Sequence, residues 1–140
     1  MQQGLYFDEL SIGQSAEATH VVGEHDLEAF AAVSGDTNPV HLDEAYAATT
    51  PFGGRIAHGM LTAAYVSAVL GTKLPGPGAI YLSQQMRFRR PVRIGDEVTA
   101  RVTITALEEK RGQVTLETVC LVGGKAVLDG EAVVLAPKRS

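Results

Sequence analysis

The stretch Ser34-Gly35-Asp36-Thr37-Asn38-Pro39-Val40-His41 sets a carboxylate and an imidazole five residues apart across a proline. Proline fixes its own φ and restricts the residue before it, so the separation of Asp36 and His41 is largely preset. A carboxylate and a neutral imidazole facing one point can share a water, one taking its proton while the other supplies a proton nearby. Their ordinary pKa values differ, so the two can divide the roles of base and acid near neutral pH. Asn38 carries donors and an acceptor with which to orient either group. The same residues also fit a plainer pair, an Asp capping a turn and a His satisfied by backbone.

A second group, Arg55-Ile56-Ala57-His58-Gly59-Met60, leads into the most apolar stretch of the chain. A helix starting there would present free N–H groups and a partial positive charge. Gly59 would let a ligand carbonyl approach that backbone without meeting a side chain. Such a site polarises a thioester carbonyl and stabilises an enolate-like oxygen. The alternative is that His58 caps the helix and Gly59 permits close packing on a sheet. A third group, Arg87, Arg89, Arg90 and Arg93, suits a small anionic ligand or a strand edge guarded against pairing. Clean alternation puts Arg87 and Arg89 on one face, and Arg90 on the other with Met86 and Phe88. Asp36, His41, Asp43 and His58 could together ligate a cation, but no metal is expected.

These residues need elements to hold them. Residues 16–22 alternate weakly and read as a strand. Residues 24–33 place Leu27, Phe30 and Ala31 on one face of a helix that Gly35 ends. Residues 36–55 are irregular, with a helical turn at 43–48. Residues 58–70 are apolar nearly all round, the pattern of a helix buried in the middle of a protein. Residues 79–89, 97–108, 113–122 and 125–135 then alternate with period two between turn signals. The class is α+β, with a curled antiparallel sheet wrapped around a central buried helix. Such a sheet keeps free edges, so a homodimer that continues it is expected.

At 140 residues the chain is one domain, 1–140. Its 12 basic against 16 acidic residues, net −4, argue against nucleic acid as a partner. Every basic residue follows position 54, which leaves a cationic patch on an acidic protein. No apolar stretch approaches the ~20 residues of a membrane span, so no membrane partner is expected. Residues 1–10 show neither the basic nor the apolar region of a secretory leader. The single cysteine, Cys120, reads as an inert core residue and fits a reducing cytoplasm.

The run SGDTNPVHLD followed by GGRIAHGM resembles the MaoC-like hydratase/dehydratase family, most closely its single-domain (R)-specific enoyl-CoA hydratases. The likeness continues through residues 80–96 and the carboxy-terminal GEAVV, so it covers nearly the whole chain. It implies the hot-dog fold, in agreement with the pattern above. It implies reversible syn addition of water to a trans-2-enoyl-CoA, giving an (R)-3-hydroxyacyl-CoA. By position, Asp36 and His41 match the catalytic pair. Asp36 would take a proton from water as it attacks C3, and His41 would hold that water and protonate C2. The Gly59 N–H matches the donor to the thioester oxygen.

Ser67 matches a polar site residue, Asn38 a supporting one, and Leu70 and Val133 positions that bound the acyl pocket. Arg87 and Arg89 are the candidates for the CoA phosphates. The acyl-CoA is the substrate, and no cofactor is implied, because the thioester already makes C2 acidic and C3 electrophilic. A dehydratase acting on carrier-protein substrates runs the same half-reaction. A thioesterase would need a carboxylate on or near the central helix, and residues 60–70 contain none. A binding module would gain nothing from burying two titratable groups.

Overall fold

In chain order the computed structural model runs from a 3-10 turn at Phe7–Glu9 through β1 (Ser15–Val21), α1 (Glu24–Ser34), α2 (Pro39–Leu42), α3 (Glu44–Ala48) and α4 (Gly59–Thr72). β2 (Ile80–Phe88), β3 (Glu97–Glu108), β4 (Gln113–Val122) and β5 (Lys125–Leu135) follow. The structure describes residues 4–139. Residues 1–3 of the stretch read above as no leader, and residue 140, lie outside them.

The five strands form one antiparallel sheet in the order β1-β3-β4-β5-β2. Alternation places Val98, Ala100, Val102 and Ile104 of β3 on the core face, with Val114, Leu116, Thr118 and Cys120 of β4 beside them. Leu128, Ala132 and Val134 of β5 complete that face. Against it lies α4, burying Leu61, Val66, Val69 and Leu70 in the same cluster. Burial pushes the Cys120 thiol up to about 12, and its Sγ meets the Thr62 carbonyl at 3.5 Å. It is an inert core thiol, as expected. Among the described residues no helix is long and apolar enough to cross a membrane.

The structure departs from the sequence reading in two places. First, α4 is not buried all round. A single curled sheet covers one side of it and leaves Met60 (58% exposed), Ala64, Ser67 and Ala68 open. Second, residues 39–42 are helical rather than irregular. The Asn38 side chain accepts from the Val40 N–H at 3.1 Å, and Pro39, with no N–H to satisfy, starts the turn.

The β2–β5 pairing depends on a residue without a side chain. A Cβ on Gly130 would lie 1.9 Å from the Gln85 carbonyl oxygen and 2.6 Å from the Met86 Cα. Backbone cannot rotate away, so the two strands would have to part. Gly130→Ala is expected to cost about 1–3 kcal/mol or more, read as a lower urea midpoint at unchanged slope.

Candidate active site

Four segments converge at the start of α4. Leading into it, Ala57 N–H bonds the Val92 carbonyl at 2.7 Å, and Ile56 N–H bonds the Val40 carbonyl at 3.3 Å. Arg55 ties the neighbouring helices together. Its Nε donates to the His41 carbonyl at 2.8 Å, and its Nη1 pairs with Glu24 of α1 at 2.8 Å. The loop after α1 leaves through Gly35 (φ 79°), whose N–H bonds the Ala31 carbonyl. It carries Asp36 with its Oδ1 accepting from the Asn38 N–H at 3.2 Å.

His41 sits on α2 and is 8% exposed. Its Nδ1–H donates to the Ile56 carbonyl at 2.8 Å, which leaves the Nε2 lone pair of the neutral ring unspent. Its ring stacks on that of His58, centroids 3.8 Å apart and planes at 25°. The Nε2–H of His58 in turn donates to the Asp36 carbonyl at 3.0 Å. One nitrogen or oxygen each from Asp36, His41 and His58 lies within 4.8 Å of the others. Asp43 does not belong to that group; its carboxylate caps α3 through the Tyr46 N–H.

Asp36 and His58 of this group border an open cavity of about 520 Å³. Asp36, His58 and Gly59 form one side of it, Phe88, Arg89 and Arg90 another, with Phe52 and Val127 among the apolar lining. Leu61 N–H bonds the His58 carbonyl, so Gly59 and Met60 present the free N–H groups of the helix start. Side-chain space there is already taken: a Cβ on Gly59 would lie 2.8 Å from the Phe88 ring. A carbonyl entering this corner meets backbone donors at the positive end of a 14-residue helix, with the Asp36 carboxylate bordering the same cavity.

The other candidates are scattered. Asn38 caps α2. Leu70 is core, at 2% exposed. Ser67 lies on the open face of α4, roughly 12 Å along the helix from Gly59. Val133 is half-buried on the side of β5 opposite Ala132 and Val134. Of the arginines, Arg89 borders the cavity but is held by Asp129 through bonds of 3.0 and 3.2 Å. Arg90 borders it as well, and Arg87 does not. Phe88 and Val127 were not singled out as site residues from sequence, and Arg90 was named only as one of the four-arginine patch. The one available signal was that Arg90 shares the strand face of Phe88.

His58 does not cap α4, contrary to one of its two sequence readings; its side chain bonds no helix N–H. Burial pulls its pKa below the ordinary 6.5, opposed by its bond to the Asp36 carbonyl. The unfolded chain therefore takes up a proton that the folded chain refuses. Stability on this account is intact above about pH 6.5 and falls as pH drops from there through the folded value. The thermal midpoint should decline below pH 6.5, and His58→Phe should flatten that slope.

A model of the MaoC-like domain matches residues 9–123. An (R)-specific enoyl-CoA hydratase of Rhodospirillum rubrum is 54% identical over 134 residues, spanning 96% of this chain and 93% of its own. A 3-hydroxybutyryl-CoA dehydratase of Methylorubrum extorquens is 50% identical, spanning 96% of this chain and 86% of its own. The solved structure of an R-hydratase of Pseudomonas aeruginosa superposes with a TM-score of 0.92 at 50% identity, covering 97% of this chain and 88% of that one.

Proposed function

Because the chain belongs to the family of MaoC-like domains, we propose that it is an (R)-specific enoyl-CoA hydratase. It adds water reversibly to a trans-2-enoyl-CoA. The observation that carries this reading is the Asp36/His41 pair held beside a free helix start at Gly59. Chains at least 50% identical over nearly the whole length bear hydratase and dehydratase names, which supports the same chemistry.

In this reading the thioester oxygen sits at the Gly59 N–H, which draws charge out of the conjugated system and makes C3 electrophilic. A water rests between the Asp36 carboxylate and His41 Nε2, whose orientation is fixed by the Nδ1–H bond to Ile56. Asp36 takes a proton as the water oxygen attacks C3, and that proton passes to His41 Nε2, which delivers it to C2 from the same face. One water is consumed, its oxygen bonded to C3 and one hydrogen gained at C2. The pair takes up one proton and gives up one, so it ends each turnover as it began. The chemistry calls for no cofactor and no metal.

Asn38 supports the loop, and Ser67, on the open face of α4, is the acyl-side candidate. Leu70, buried in the core, and Val133, on the opposite face of β5, do not border the cavity. Of the proposed phosphate contacts, Arg89 is placed beside the cavity, and Arg90 joins it in preference to Arg87. A thioesterase is disfavoured, because α4 carries no Asp or Glu to aim water at the carbonyl carbon. The open face of α4 and the exposed Ile80, Tyr81 and Leu82 on edge strand β2 support a homodimer. The cytoplasm is the compartment that a lone buried thiol suits. The test is product stereochemistry: crotonyl-CoA should yield (R)-3-hydroxybutyryl-CoA, and the (S) product would refute the assignment.

A further inference from the structure

We infer that His58 is a positioning residue of the hydration, holding Asp36 through its backbone and His41 through its ring. The inference rests on the hydratase reading and adds a third residue to its machinery.

His58 is 2% exposed and stands immediately before Gly59. It occupies the cap position of α4 without capping it, so its ring is free for other contacts. Those contacts run to the two elements that carry the acid–base pair. The Nε2–H bond to the Asp36 carbonyl, 3.0 Å, anchors the loop that ends α1. The face-to-face stack on His41, at 3.8 Å, sets the plane of that ring against its Nδ1–H bond to Ile56. Phe30 of α1 closes the other side, tilted at 53° with centroids 4.8 Å apart. One ring therefore fixes Asp36 and His41 relative to each other and to the helix start that follows in the chain.

The ring must do this uncharged. Its Nδ1 is buried with no hydrogen-bond partner among the described residues. A proton there would make an N–H with no acceptor, in a site that pays heavily for an unpaired charge. A cation stacked on His41 would also oppose any proton reaching that ring. The charged and titratable groups around the pair are Asp36, Arg55 on the His41 carbonyl, and Arg89 and Arg90 across the cavity. A histidine that merely filled this space would affect stability alone. One that positions the pair affects turnover in a protein that remains folded.

Two variants separate these cases. His58→Phe keeps a ring for the stack and removes the N–H; His58→Gln keeps an N–H at similar reach and removes the ring. Each is assayed with wild type on crotonyl-CoA, alongside thermal melting. For folded His58→Phe, kcat should fall about 10²-fold, the scale of a 1 Å misplacement of a catalytic group. KM should move less than about threefold, since the residue acts through others rather than on uniform binding. His58→Gln should recover about tenfold of that loss, because it restores the anchor on Asp36. Wild type active with folded His58→Phe within about twofold of it overturns this inference alone. Losses in both variants that merely track the folded fraction overturn it equally. Wild type without turnover overturns the hydratase reading and the inference with it.

Discussion

Asp36→Asn should lower kcat for crotonyl-CoA hydration by about 10²–10⁴-fold, the range of a positioned general base. The carboxamide matches the carboxylate in shape but has no basic oxygen, so it can touch the water and not take its proton. Its Oδ1 can still accept from the Asn38 N–H, which the carboxylate does at 3.2 Å, so the loop keeps its turn. The bond from His58 goes to the Asp36 backbone carbonyl and survives any side-chain change. Melting temperature and KM should therefore stay near wild type while kcat collapses. Steady-state kinetics beside a melting curve reads both. A variant retaining more than a tenth of wild-type kcat would remove Asp36 from the chemistry.

His41→Ala should cost activity on the same scale, about 10²–10⁴-fold, but with a different signature. The His41 ring is buried, stacked on His58 and bonded to the Ile56 carbonyl. Its removal leaves that carbonyl without its donor, at a cost of about 1–3 kcal/mol. Stability and kcat should fall together here, whereas only kcat falls in Asp36→Asn. Groups that act as a unit are grossly non-additive. The double variant should accordingly be about as slow as the slower single one. Multiplying losses would mean two independent contributions rather than one shared water.

Much of this was legible in the residues themselves. Period two in residues 97–135 marks three strands, whose bounds match the structure. Asp36 and His41 stand out because a proline between them limits the conformations that could separate them. What was hidden depends on contacts remote in sequence. His58 bonds a carbonyl 22 positions away, and nothing in its own neighbourhood indicates this. The need for glycine at position 130 arises from Gln85, on a strand paired by register alone. The pairing of Arg89 with Asp129 is hidden likewise. The register of β2 on β5 sets Arg87 opposite Asp129, and Arg89, one residue past the strand, reaches back to it. That pairing leaves Arg90, two residues past the end of β2, as the cavity arginine without such a tie. The helical turn at Pro39–Leu42 is a different case. Its signal, an Asn before a Pro, lay in the sequence and reads as readily as a loop.

The central claim is that this site places water on C3 of an enoyl thioester and leaves the thioester whole. The most direct measurement follows enoyl-thioester absorbance and free thiol in one sample after mixing wild-type protein with crotonyl-CoA. The account predicts rapid loss of the enoyl absorbance with no thiol released. Thiol release at the rate of absorbance loss, or absorbance that never changes, would contradict it.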